Sequence, residues 1–120
     1  MVSGIDNNKN LVEVLTKSQI YFNTTTTAAI ANGNEALYYF SINNDEFTIE
    51  NTFVAGVAFQ IVGQDRVYNA ANHPGNPAQI RVSFTPKDGG GLSVGVRVQR
   101  SYKDAANISF RVKVCMMRVF

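Results

Sequence analysis

Leu92-Ser93-Val94-Gly95-Val96-Arg97-Val98-Gln99-Arg100-Ser101 is the stretch that decides the fold class of this chain. Leu92, Val94, Val96 and Val98 recur at every second position, with Ser93, Gly95, Arg97 and Gln99 between them. In an extended backbone a period of two sends alternate side chains to opposite sides, so one side is built for a core. The neighbouring segments repeat the pattern. In Ala78–Thr85, Ile80, Val82 and Phe84 point one way, and Arg81, Ser83 and Thr85 the other. Toward the end of the chain Ile108, Phe110, Val112 and Val114 alternate with Ser109, Arg111 and Lys113.

Working outward, Ile20–Thr27, Ala36–Asn43, Phe47–Glu50, Thr52–Val62 and Arg66–Asn69 add aromatic and β-branched segments typical of strands. Turn chemistry separates them. Asn32-Gly33 is the dipeptide best suited to a type I′ hairpin, and Asn43-Asn44-Asp45-Glu46 is a second turn. Asn72-His73-Pro74-Gly75-Asn76-Pro77 reads as a loop, and Pro86 to Gly91 as the turn before Leu92. Seven or eight short strands at this spacing predict an all-β chain, an antiparallel β-sandwich or jelly roll, with an open barrel as the architectural alternative. Residues 6–18 break the pattern. Leu11, Val14, Leu15 and Ser18 share a helical face, and Asp6 is placed to cap it, although Leu11–Leu15 would also serve as a short strand. The expected organisation is an N-terminal arm or short helix over 1–19 and one β-sandwich domain over 20–120.

A chain of 120 residues has room for one core. It contains no apolar run near the ~20 residues of a membrane-spanning helix. The start, Met1–Lys9, lacks the basic and apolar regions of a secretory leader, which predicts assembly in the cytoplasm unless a leader has been removed. The net charge of +2 hides a contrast between halves. Residues 1–60 hold two basic and six acidic residues, and residues 61–120 hold nine basic and three acidic ones.

Groupings that could carry chemistry are sparse. His73 is the only histidine and Cys115 the only cysteine, so multi-ligand metal sites and intrachain disulfides find little material. The acidic turn at Asn43–Glu46 lacks the alternating carboxylates of a calcium loop. Gly89-Gly90-Gly91 precedes a strand, whereas phosphate cradles open onto a helix N-terminus. The Gly-x-Ser-x-Gly spacing of Gly91-Leu92-Ser93-Val94-Gly95 falls within an alternating strand, not at the strand-to-helix elbow that such a nucleophile needs. The expectation is a non-enzymatic protein with no cofactor and no metal.

Two features point to assembly. Thr52–Val62 is apolar or small on both sides, with Phe53, Ala55, Val57, Phe59 and Ile61 alternating against Val54, Gly56, Ala58, Gln60 and Val62. Such a strand is covered on both sides, by this chain or by another. The second feature is basic. If the last two strands form a hairpin across Tyr102–Ala106, Arg97 lies opposite Arg111, a repulsion that an acidic partner would relieve. The expected partner interface is therefore Val54, Gly56, Ala58, Arg81, Arg97, Arg111 and Lys113, engaging protein rather than nucleic acid or membrane.

The arm at Met1–Lys9, the two-faced strand Thr52–Val62 and the apolar end Met116–Phe120 give the chain a character. It resembles the small jelly-roll decoration or cement proteins of tailed-phage capsids. No diagnostic motif is matched, so no functional residue is carried over. The resemblance implies a virion component, assembled in the host cytoplasm, that glues neighbouring capsid subunits and forms homo-oligomers. The alternative is a carbohydrate- or receptor-binding β-sandwich module, with Tyr38, Tyr39, Tyr68 and Tyr102 as candidate sugar-stacking rings.

Overall fold

The alternating stretch becomes the middle strand of a sheet. The computed structural model describes residues 18–69, 72–73, 75–101 and 106–119, and residues 1–17 of the arm or helix expected over 1–19 lie outside them. Six strands are present among the described residues: β1 (Gln19–Thr26), β2 (Glu35–Ile42), β3 (Thr52–Ile61), β4 (Ala78–Pro86), β5 (Leu92–Arg100) and β6 (Phe110–Arg118). They form two antiparallel sheets, ordered β1-β6-β3 and β2-β5-β4. Leu92, Val94, Val96 and Val98 of β5 and Phe110, Val112, Val114 and Met116 of β6 are fully buried in one shared core. Tyr21 of β1 stacks on Phe40 of β2 at 5.9 Å, so the edge strands also meet between the sheets.

Among the described residues the strands number six, where seven or eight were expected. Phe47–Glu50 is a turn, held by its asparagines. Phe47 N–H donates to Asn44 O at 3.0 Å and Thr48 N–H to Asn51 Oδ1 at 2.9 Å, while Asn51 Nδ2 donates to Glu46 O at 2.8 Å. The Arg66–Asn69 segment makes only an isolated bridge, Tyr68 to Phe59, where the two rings stack at 5.2 Å.

Two expected hairpins are absent. The Asn32-Gly33 turn does not fold β2 back onto β1, because these strands belong to different sheets. Gly33 has φ +80°, but among the described residues no non-glycine residue has positive φ, so Asn32 cannot supply the first half of a type I′ turn. The segment from Thr27 instead crosses between the sheets, bridging Ile30 to Ile108 on the way. Likewise β5 and β6 separate, and Arg97 does not face Arg111. Among these strands the hairpin of chain neighbours is β4–β5, closed by Lys87 N–H to Gly91 O at 3.1 Å.

Candidate interaction surface

Each sheet turns one side to the core and one outward, and the two outer faces differ in chemistry. On the β2-β5-β4 sheet, the outward rows are Leu37–Arg97–Arg81, Tyr39–Gly95–Ser83 and Ser41–Ser93–Thr85. Arg97 therefore meets a like charge across the strands, but the charge is Arg81 on β4, not Arg111. Glu35 offsets it from β2, its carboxylate 3.5 Å from Arg97 Nε. Both groups are about half exposed, so this pair contributes little to stability and tempers a local repulsion. Tyr39 lies across Gly95: a Cβ added there would stand 3.0 Å from the ring, and Tyr39 itself is 67% exposed.

The outer face of the β1-β6-β3 sheet is apolar at one end. β3 carries a bulge between Val54 and Gly56, which changes the side that each residue faces. Before it, Thr52 and Val54 point inward, Val54 pairing with buried Met116; after it, Val57, Phe59 and Ile61 point inward. Phe53, Gly56, Ala58 and Gln60 are left outside. The expectation that Val54 shares a face with Gly56 and Ala58 is thus corrected: Val54 is half-buried against the core. A row Ile20–Met117–Phe53 is followed by Phe22–Cys115–Gly56, then Thr24–Lys113–Ala58, then Thr26–Arg111–Gln60. Ile20, Phe22 and Phe53 are 55%, 71% and 43% exposed, a concentration of bare apolar surface on one sheet face.

Beside Phe22 runs a shallow groove of about 560 Å³, lined also by Thr24, Gly56, Ala58, Lys113 and Cys115. The space over Gly56 is open, since a Cβ there would meet nothing within 4 Å. Partial burial pushes the Cys115 thiol above its ordinary pKa, which favours the neutral, less nucleophilic form.

The seven expected interface residues are consequently split. Gly56, Ala58, Arg111 and Lys113 share one outer face; Arg81 and Arg97 lie on the opposite one; Val54 lies between the sheets. Sequence reasoning missed Ile20, Phe22, Cys115 and Met117 as members of this face. Their signal was present in Ile20-Tyr21-Phe22, which is apolar in both phases of the alternation.

The other candidate groups take up structural positions. His73 is exposed, and its Nδ1 accepts from Gly75 N–H at 3.1 Å. In the acidic turn Asn44 Oδ1 accepts from Glu46 N–H at 2.9 Å, and the Lys87 amino group donates to Asn43 Oδ1. Among the described residues no three His, Cys, Asp or Glu side chains gather around a common point. Gly89, Gly90 and Gly91 all have positive φ, as the tight β4–β5 turn requires. Tyr38 points inward, and desolvation pushes its pKa up to about 12, with nearby Thr25 pulling the other way. Its buried hydroxyl makes no hydrogen bond of ordinary geometry, and Thr25 Oγ1 donates to Asn23 Oδ1 at 2.8 Å. Tyr68 is packed on Phe59 under Arg66, and Tyr102 lies outside the described residues.

Comparison with protein-family models, curated proteins and solved structures finds no match for this chain.

Proposed function

We propose that this chain is a non-enzymatic structural subunit that works by adhesion, a virion decoration or cement protein binding neighbouring capsid subunits. The observation that carries the reading is the outer face of the β1-β6-β3 sheet. Ile20, Phe22 and Phe53 stand bare on it, Phe22 at the edge of a largely apolar groove, where a sheet facing only water would carry polar side chains. The order of the strands supports a jelly-roll winding. Every connection changes sheet except the β4–β5 turn, so the chain behaves as a long ribbon wrapped into two layers. Particle subunits gain from such a frame because both outer faces stay free for neighbours.

Ala58→Glu tests the adhesive face. Ala58 points outward beside Lys113, so the carboxylate has a basic neighbour and the core is untouched. The expected result is an unchanged melting temperature with loss of the chain from purified particle fractions of its native source. Wild-type chain absent from those fractions would overturn the structural reading.

One observation favours a second reading, a glycan-binding module. Tyr39 lies on Gly95 amid Ser83, Ser93 and Arg97, a flat exposed ring with polar surroundings. On that reading Tyr39→Ala abolishes binding on a glycan array at unchanged stability. An array on which wild-type protein retains no glycan removes it.

A further inference from the structure

The outer face of the β2-β5-β4 sheet holds features that a sheet facing only water does not need. Arg81 and Arg97 stand directly opposite each other on β4 and β5, like charges whose repulsion weakens the sheet. Glu35 lies 3.5 Å from Arg97, and among the described residues Arg81 has no ion-pair partner. In the next row Tyr39 stands mostly in water, its ring across Gly95. Gly95 interrupts the middle strand, where a glycine weakens pairing and often marks a close approach. On the other side of Arg97, Asn34, Glu35 and Gln99 line a polar hollow of about 540 Å³.

Hollow, arginines and ring therefore follow one another along β5, in the rows of Gln99, Arg97 and Gly95. Successive rows on one face are about 7 Å apart, so a short extended ligand meets all three. The hollow offers amide and carboxylate groups to hydroxyls. A guanidinium fork takes a carboxylate or sulfate by paired hydrogen bonds. An open aromatic ring packs against the apolar C–H side of a pyranose. A sugar chain bearing acidic groups presents all three partners. Nucleic acid carries a phosphate at every residue, and the outward rows hold only two cations and one carboxylate. An acidic peptide makes no use of the ring.

We infer that this face binds an acidic carbohydrate, with a pyranose ring against Tyr39 and its carboxylate or sulfate between Arg81 and Arg97. The inference rests on the glycan-binding reading above and names the class of sugar that the site takes. Binding neutralises the repulsion between the two arginines, which the free sheet has to carry. Gly95 keeps the ring low over the strand, since a Cβ there would stand 3.0 Å from it. The apolar face with Phe22 and Phe53 belongs to the other sheet, so both surfaces can be occupied at once.

The experiment is calorimetric titration of the full chain at physiological salt with five probes. They are oligogalacturonate, the same oligosaccharide methyl-esterified, a sulfated oligosaccharide, a single-stranded oligonucleotide and polyglutamate. At least one acidic sugar is expected to bind, the two arms telling carboxylate from sulfate, and the methyl ester should bind at least tenfold more weakly than its acid. Arg81→Gln and Tyr39→Ala should each weaken acidic-sugar binding at least tenfold, while Tyr39→Phe, which keeps the ring, should stay within about twofold. Arg111→Gln, on the other sheet, should change nothing. Both Arg81 and Tyr39 are exposed, so unchanged melting temperatures separate a lost contact from a damaged fold. Equal affinity for the acid and its ester overturns the inference and leaves the glycan reading standing. No binding of either acidic sugar at ~1 mM overturns it too, and neutral glycans retained on the array would still uphold that reading. Oligonucleotide bound more tightly than the acidic sugars, and lost in Tyr39→Ala, makes the ligand nucleic acid and overturns it. Polyglutamate bound as tightly as the sugars, with Tyr39→Ala indifferent, overturns it by reducing the face to a charged patch.

Discussion

Gly91→Ala should destabilise the fold by about 3 kcal/mol, the upper range for single changes of backbone origin. Gly91 has φ +84°, a conformation that costs any residue with a Cβ. The space is closed as well: an added Cβ would stand 2.0 Å from the carbonyl oxygen of Ile42 and 3.3 Å from the Asn44 nitrogen. Those atoms are backbone and cannot rotate away. The change would push the β4–β5 turn off the end of β2, where Ile42 pairs with Leu92 in the core. Gly89→Ala supplies the control. Its φ is +86°, yet nothing lies within 4 Å, so only the backbone penalty of about 1–2 kcal/mol should appear. Urea unfolding of the two variants beside wild type measures the difference. Equal losses would mean that the closed space around Gly91 relaxes freely and the contact argument is wrong.

The same turn illustrates what was legible in the sequence. Pro86 to Gly91 was readable because its chemistry is local: a proline, then glycines, between two alternating runs. The inward residues of β4, β5 and β6 were readable for the same reason. Strand partners were not. Of the four pairings in the sheets, β1–β6, β2–β5 and β3–β6 join distant parts of the chain, and only β4–β5 joins neighbours. A rule that pairs consecutive strands therefore misplaced Arg97 opposite Arg111. The repulsion it anticipated exists, but against Arg81, with Glu35 beside it.

The candidate surface was legible in part. Thr52–Val62 was apolar on both sides for a reason that alternation cannot express. The bulge near Ala55 gives β3 two phases, so Phe53 belongs outside while Val57 and Phe59 belong inside. One extra residue in a strand leaves no mark in composition. Its neighbours on the face, Phe22 and Met117, come from strands separated by most of the chain, and a linear pattern does not bring them together.

Arg100→Ala should cost about 3 kcal/mol, combining a lost hydrogen bond from a charged donor with an unfilled space. Arg100 continues the inward series Leu92, Val94, Val96, Val98, so period two places a guanidinium where an aliphatic residue would be expected. It is 3% exposed. Its Nη1 donates to Ile30 O at 2.8 Å, and its backbone N–H donates to Asn34 O at 3.0 Å. Both acceptors lie on the segment that carries the chain from β1 in one sheet to β2 in the other. That segment is bound to the first sheet through Thr27 and Ile30: Thr27 N–H donates to Phe110 O at 2.8 Å and Ile30 N–H to Ile108 O at 2.7 Å. Arg100 supplies the corresponding hold from the second sheet, and so ties the two layers together at one end of the core. In the alanine variant the backbone bond to Asn34 survives, the bond to Ile30 does not, and the vacated volume lies next to apolar side chains. A loss of that size lowers the melting temperature of a domain this long by on the order of 10 °C. Arg97→Ala, three residues earlier and half exposed, should change stability by no more than about 0.5 kcal/mol. Differential scanning calorimetry of the two variants decides the matter. If Arg100→Ala melts within ~2 °C of wild type, a shift worth only about 0.5 kcal/mol, the guanidinium does not hold the layers together.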